Sequence, residues 1–319
     1  MKTSKIVFFG TPDFALAALE ALQRAFTVAA VVTQPDKPAG RGKKLKPPPV
    51  KIRALALNIP VWQPESVRGS EFAARLAALE PDFLVTAAYG KLLPRSVLAV
   101  PRLAALNIHA SLLPAYRGAA PIQRAVINGE KETGVTIMEM DEGMDTGAIL
   151  LQEAVPIADE DTAGTVHDKL SALGARLIVE AIRAVIDGTA VRRRQDDSQA
   201  SYAPPIRREE ARIDWCAETS VVHNLVRGMN PWPGAYTERD GERLKIWEGR
   251  PAAGGGKPCG LVLEAAPDGI LVATGDGAYR ITKLQAPGRN ILTAAAYLRG
   301  NPLPAGTVLG KREEGERGK

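Results

Sequence analysis

A chain of 319 residues suggests two domains, each long enough for its own core. With 45% hydrophobic and 24% charged residues it reads as a soluble globular protein rather than a disordered or fibrous one, and no apolar run approaches the ~20 residues that span a bilayer. The formal net charge of +5 is modest and unevenly placed. Seven basic side chains (Lys37, Arg41, Lys43, Lys44, Lys46, Lys51 and Arg53) have no acid among them, and Arg192, Arg193, Arg194, Arg207 and Arg208 form a second group. Two local patches of this kind suit a polyanionic partner better than a uniformly basic surface would.

The first residues, MKTSKIVFFG, pass from a short basic start straight into a strand and lack the apolar region and cleavage site of a signal peptide. Lys5–Phe9 is that strand. Thr11 and Pro12 then have the chemistry of an N-cap and first helical residue, and a helix is expected to about Arg24. A strand over Thr27–Thr33 follows. The turn between the first strand and helix holds Gly10 but no G-x-G-x-x-G, so a dinucleotide site is not expected there. Pro35–Pro49 is rich in Pro, Gly and Lys and reads as a loop, placed after a strand where open α/β sheets bind ligands.

Helices are expected over Val50–Leu57 and Glu71–Leu79, and a central strand over Phe83–Ala88, ending in the loop Tyr89-Gly90-Lys91-Leu92-Leu93-Pro94. Leu106–His109 is the next strand, Ser111–Pro114 a turn, and Ala119–Asn128 a helix whose start, at Arg117 and Gly118, could receive an anion or a carbonyl. Thr133–Met140 and Ala148–Pro156 read as strands flanking an acidic turn, and Thr162–Ile186 as a long amphipathic helix. Residues 192–208 turn polar and Pro-containing, as linkers do. Beyond them a helix (Ser220–Gly228) precedes short strand-like runs at Ala235–Glu238, Arg243–Glu248, Leu261–Ala265, Ile270–Thr274 and Arg280–Leu284. That pattern suggests a small β-barrel of OB type. The expected architecture is therefore a Rossmann-like α/β domain over 1–191, a linker over 192–208 and an OB-fold-like domain over 209–319. Cys216 and Cys259 lack zinc-site spacing and are expected as reduced thiols in a cytoplasmic protein.

The chemistry concentrates between Asn107 and Asp145. The chain has three histidines, and His109 is the one set among turn-forming and polar residues. Asn107 and His109, two apart in a strand, project to the same side, and Asp145 arrives from a second turn. Amide and imidazole can donate to an oxyanion, while a carboxylate can orient the imidazole or collect a proton. Each residue alone also has an ordinary reading: a histidine hydrogen-bonded at a strand end, and an aspartate shaping a turn.

The literal residues add a resemblance. FFGTPDFA (Phe8–Ala15), PDKPAGRGKK (Pro35–Lys44), AAYGKLLP (Ala87–Pro94), NIHASLLPAYRGAAPIQ (Asn107–Gln123), MDEGMDTG (Met140–Gly147) and NPWPGA (Asn230–Ala235) lie in order over most of the chain. In these motifs the sequence resembles the folate-dependent formyltransferases. The resemblance implies Asn107, His109 and Asp145 as catalytic residues, with no departure from the family pattern at those positions. It implies 10-formyltetrahydrofolate as formyl donor, held by Tyr89, Gly90, Lys91, Leu92, Leu93, Ser111, Leu112, Leu113, Pro114 and Asp141. It further implies the α-amine of an initiator methionyl-tRNA as acceptor, with Arg41, Lys43, Lys44, Lys46, Arg207 and Arg208 on the RNA. A metal is not needed, and a monomer away from membranes is expected. The same catalytic domain could instead serve a small-molecule acceptor or hydrolyse formyl-folate, and a non-catalytic tRNA-binding module is the reading from another class. The basic insertion and second domain favour RNA, since a small acceptor needs neither, and the intact trio favours catalysis.

Overall fold

The computed structural model describes residues 4–39 and 44–310. They form two compact units, one made of the described residues within 4–121, 132–156 and 167–204 and the other of those within 122–131, 157–166 and 205–310.

The first unit is built on a seven-stranded sheet. From one edge its strands run Ile149–Pro156, Glu132–Glu139, Ala104–His109, Phe83–Ala87, Lys5–Gly10, Thr27–Val32 and Val61–Trp62. The strands from Ala104–His109 to Val61–Trp62 are parallel, and the remaining two add antiparallel. The sequence explains the difference. Ile6–Phe9 and Phe83–Val85 are continuous apolar runs and are fully buried, as central parallel strands are. Ile149–Pro156, by contrast, is partly exposed along most of its length, as suits an edge. The helix Leu16–Ala25 buries Ala18, Leu19 and Leu22, a helical stripe. In the long helix Ala163–Ile186, Gly174 lies against the strand that carries Asn107 and His109. A Cβ at Gly174 would stand 2.7 Å from Ile108 Cγ2, so that packing accepts no side chain. This α/β unit is Rossmann-like, as expected.

Three expectations change. Thr11 does not cap the first helix: a 3-10 turn, Asp13–Ala15, comes first with Pro12 as its N-cap, and the Thr11 hydroxyl donates instead to Tyr89 O at 3.2 Å. The Pro35–Pro49 stretch is not all loop, because Lys37–Ala39 pairs antiparallel with Lys44–Lys46. Its Pro and Gly content hid a short hairpin stem, and Arg41 and Lys43 lie outside the described residues. The polar stretch after Val191 is not a free spacer. Arg193 bridges Ile149, and Tyr202–Ala203 pairs in parallel with Arg117–Gly118. Polar composition conceals this because backbone and buried polar contacts do the holding, rather than an apolar stripe.

The second unit carries an antiparallel, curled sheet of OB type, with strand order Tyr236–Arg239, Glu242–Ala252, Ala278–Gln285, Gly269–Ala273 and Val262–Ala266. Register shifts in Glu242–Ala252 let that strand bend. Cys216 and Cys259 are joined as a disulfide, Cα to Cα 5.1 Å, which corrects the expectation of reduced thiols. Their separation of 43 residues hid a proximity that the fold creates.

His223, on the helix Thr219–Gly228, donates from Nε2 to Asp159 O (3.1 Å), and its Nδ1 lies 3.4 Å from the Tyr279 hydroxyl, which can serve either ring state as partner. Burial holds the His223 pKa below the ordinary value, and the Arg227 guanidinium adds to this against the opposing pull of Asp159 and Glu160. A lowered folded-state pKa means that the unfolded chain binds the proton better. The contribution is therefore complete above the unfolded value, ~6.5, and is lost as pH falls through the folded one. Urea midpoints should drop between pH 7.5 and 5.5, and drop less in His223→Gln. Equal drops would remove His223 from the acid response.

Candidate active site

Asn107 and His109 stand at the carboxyl end of the strand Ala104–His109, between the ends of Phe83–Ala87 and Glu132–Glu139. Asn107 is registered opposite Thr86, whose hydroxyl donates to Asn107 Oδ1 at 2.6 Å. The carboxylate of Asp145 settles the amide orientation: it can only accept, so the amide nitrogen faces it across the crevice and the amide oxygen is left to Thr86. Asn107 Nδ2 lies 3.4 Å from Asp145 Oδ1. His109 is 5% exposed, and its Nδ1 is 3.6 Å from the same carboxylate oxygen. On its other side Nε2 donates to Tyr116 O at 3.0 Å, since a carbonyl can only accept. The three predicted catalytic side chains therefore converge on one point, Asp145 Oδ1.

Asp145 is held in an uncommon backbone conformation, φ +56, in the acidic turn between Glu132–Glu139 and Ile149–Pro156. Its second carboxylate oxygen, Oδ2, accepts the Gly118 backbone N–H at 2.9 Å. The expected anion at the Arg117–Gly118 turn is thus the chain's own carboxylate. Gly118 has φ +116, and a Cβ there would lie 3.0 Å from Ala203 O, so the position requires glycine. Arg117 does not face an incoming anion. It is 3% exposed and donates to Gln195 Oε1 and to Asp197 Oδ1.

The Tyr89–Leu93 loop expected to hold the pterin ring of the folate leaves the strand Phe83–Ala87 at the same sheet end. Tyr89 is buried, its ring edge-on to Phe9 with centroids 5.3 Å apart, and its carbonyl accepts from Thr11 Oγ1 and Gln34 Nε2. Burial pushes the Tyr89 phenol up to about 12. Leu93 is also in the core, and the Lys91 ammonium is tied back to Glu65 O at 2.7 Å. Gly90, at φ +80, turns the chain, and Leu92 is left 60% exposed. The side chains of Tyr89, Lys91 and Leu93 are therefore committed to the protein, leaving Leu92 and backbone groups to face a ligand.

In the second loop, Ser111 Oγ donates to Ala115 O, and Leu113 N donates to Thr136 Oγ1. Leu112 and Pro114 are half-buried. Asp141 Oδ1 accepts from Gly143 N at 3.0 Å and Thr146 Oγ1 at 2.7 Å, so its side chain shapes the turn that presents Asp145. Lys46 is exposed in the hairpin stem, paired with Lys37, and Arg207 and Arg208 are exposed in the second unit. Thr86, Gln195, Thr11 and Gln34 contribute without having been expected. Thr86 was foreseeable as the strand neighbour of Asn107; the others act across long sequence separations and carry no local motif. Among the described residues no group of three or more His, Cys, Asp or Glu could hold a metal, and no helix is long and apolar enough to cross a membrane.

The formyl transferase family matches residues 4–182, and the formyl transferase C-terminal domain matches residues 205–302. The chain is 55% identical over 303 residues to the methionyl-tRNA formyltransferase of Aromatoleum aromaticum, covering 95% of this chain and 96% of that one. It is 51% identical over 311 residues to the methionyl-tRNA formyltransferase of Pelotomaculum thermopropionicum, covering 96% and 99%. The chain belongs to the methionyl-tRNA formyltransferase family. Among solved structures, the sugar 3N-formyl transferase WlaRD superposes with a TM-score of 0.65 at 21% identity, over 90% of this chain and 99% of that one. HypX from Aquifex aeolicus, solved with tetrahydrofolic acid, gives 0.64 at 18% identity over 93% and 47%. At such identities these two share the fold with this formyltransferase-family chain. They do not speak to its acceptor.

Proposed function

We propose that the protein transfers a formyl group from 10-formyltetrahydrofolate to the α-amino group of initiator methionyl-tRNA, the step that prepares this tRNA for translation initiation. The convergence of Asn107 Nδ2 and His109 Nδ1 on Asp145 Oδ1 carries the reading. The activity of its methionyl-tRNA formyltransferase relatives supports it.

The folate is a substrate in this reaction, and the residues present suit it. The turn at Gly90 offers backbone groups beside an exposed Leu92, and the Ser111–Pro114 turn lies at the same sheet end. A flat heterocycle with many donors and acceptors is well served by such a lining. Bound there, it supplies the formyl carbon. The neutral amine attacks that carbon, and negative charge grows on the formyl oxygen. Asn107 Nδ2–H, held outward by Thr86, donates to that oxygen. The one proton of a neutral His109 sits on Nε2 against Tyr116 O, so Nδ1 donates to the oxyanion as the imidazolium, whose charge faces Asp145 Oδ1 at 3.6 Å. Asp145, braced at Oδ2 by Gly118, collects the proton lost by the amine, directly or through one water. Asp145 then returns that proton to the donor's N10 as the formyl C–N10 bond breaks, the oxyanion collapses to the carbonyl and tetrahydrofolate leaves, so donor and acceptor react directly with no covalent enzyme intermediate.

In this reading residues 1–191 are the catalytic domain and 209–319 the tRNA-binding domain of a cytoplasmic monomer. Arg41, Lys43, Lys44, Lys46, Arg207 and Arg208 contact RNA. The test offers formyl-folate with charged initiator tRNA, charged elongator tRNA, free methionine and a sugar nucleotide amine. Formylation of the initiator tRNA far above the others is expected, and preference for a small amine would overturn the acceptor assignment. Arg41→Ala should raise KM for tRNA about tenfold and flatten its salt dependence, because a phosphate contact is lost, while folate affinity holds. An equal loss of folate binding would make the hairpin a structural element only.

A further inference from the structure

Asp145 sits in the left-handed region, which aspartate enters more readily than most residues but still at a cost that its surroundings must offset. One side chain grips the turn at two points. Gln195 is 6% exposed, and its Nε2 donates to Asp145 O and to Gly147 O, both at 2.8 Å. A single amide nitrogen thus spans the catalytic turn on two carbonyls. Its orientation is fixed from behind, since Arg117 donates to Gln195 Oε1 from Nε at 3.1 Å and from Nη2 at 2.8 Å. A guanidinium can only donate, so the amide cannot flip without facing donor to donor. The buried Arg117 charge is balanced by Asp197 at 2.7 Å. Gly118, the next residue, grips Asp145 Oδ2. Arg117–Gly118 is itself fastened by its pairing with Tyr202–Ala203 and by Arg117 N donating to Ser201 O at 2.8 Å.

Resting on the formyl-transfer reading, we infer that Gln195, locked by Arg117, is a positioning residue for the reaction: it fixes the turn that aims Asp145 at Asn107 and His109. Gln195 and Asp197 both come from the stretch whose composition reads as a linker. That stretch therefore completes the site instead of merely leading away from it.

Gln195→Glu isolates the effect. It is isosteric and keeps a partner for Arg117, but it has no N–H for the two carbonyls. Single-turnover formyl transfer should fall ~10–100-fold, as small displacements of a reacting group do, with KM for both substrates within about twofold of wild type. In an Asp145→Asn background the same change should cost less than about twofold, because a residue acting through Asp145 has nothing left to position. Equal losses in both backgrounds, or a raised KM at unchanged kcat, would overturn the inference. A wild-type protein that formylates no acceptor would overturn the functional reading instead. A measurement independent of turnover covers that case. With three histidines in the chain, His109 ring nitrogen shifts are resolvable, and they should move in Gln195→Glu in the same direction as in Asp145→Asn. Unchanged His109 shifts would sink the positioning role. Should Gln195→Glu fold poorly, Asp197→Asn at the exposed end of the relay should produce the same pattern at about two- to fivefold, and its absence would count equally against the inference.

Discussion

Replacing Asn107 with alanine should slow formyl transfer roughly a hundred- to a thousandfold, ~2.7–4 kcal/mol in the barrier, the usual loss when one oxyanion donor is removed. Both substrates should bind nearly as before, because the donor meets its charge only as the carbonyl oxygen becomes an oxyanion. The environment of Asn107 makes the effect specific. Its oxygen is engaged at 2.6 Å by Thr86, so the amide nitrogen is held toward the crevice without a search among rotamers. Thr86→Val keeps the shape and removes that hold, and should give a smaller loss in the same direction. Asn107→Asp should exceed the alanine effect, because a second carboxylate would face Asp145 where the nitrogen now stands 3.4 Å away. Single-turnover rates at saturating substrate, set beside equilibrium binding of each substrate, separate these outcomes. A rate within about threefold of wild type for Asn107→Ala would place the oxyanion elsewhere.

The legibility of this site followed the range of the interactions that build it. Asn107 and His109 could be placed because a strand puts residues two apart on one side, and a continuous apolar run announced the strand. Asp145 could be placed as a turn residue, and the literal motif linked it to the other two. The brace around it could not be read. Gln195 and Arg117 meet across 78 residues, and neither sits in a pattern that distinguishes it from a surface side chain. Arg117 was misjudged for the same reason, since a turn arginine resembles an anion receptor until its burial and its partner Asp197 are seen. The fold was legible where burial imposes periodicity, in the central strands and the helices. It was less so where backbone pairing alone holds the chain, as in the Lys37–Ala39 hairpin stem and the Tyr202–Ala203 bridge. The disulfide lay beyond reach because no local signal pairs Cys216 with Cys259.

Phe9→Ala should cost ~3–5 kcal/mol of stability, as deletion of a fully buried phenylalanine does, and it should also weaken binding of the formyl donor. Phe9 is 0% exposed at the centre of a cluster that includes Val7, Phe72, Leu84, Tyr89, Leu93 and Val97. Its ring meets Tyr89 edge-on at 5.3 Å and Phe72 at 6.5 Å. Tyr89 begins the loop assigned to the pterin, and its hydroxyl has no hydrogen-bond partner among the described residues, so packing rather than a polar anchor holds the ring. A cavity beside it would let the ring shift, carrying the carbonyl that Thr11 and Gln34 engage and the backbone of Gly90 with it. Leu22→Ala provides the comparison. Leu22 is equally buried, on the helix Leu16–Ala25, and lies outside the Tyr89 cluster. Its loss should cost a comparable ~2–5 kcal/mol without changing donor affinity. Urea denaturation gives the first quantity and titration with a formyl-folate analogue the second. If both variants lower donor affinity to the same degree, the change reflects general loosening, and the packing of Tyr89 on Phe9 does not set the donor loop.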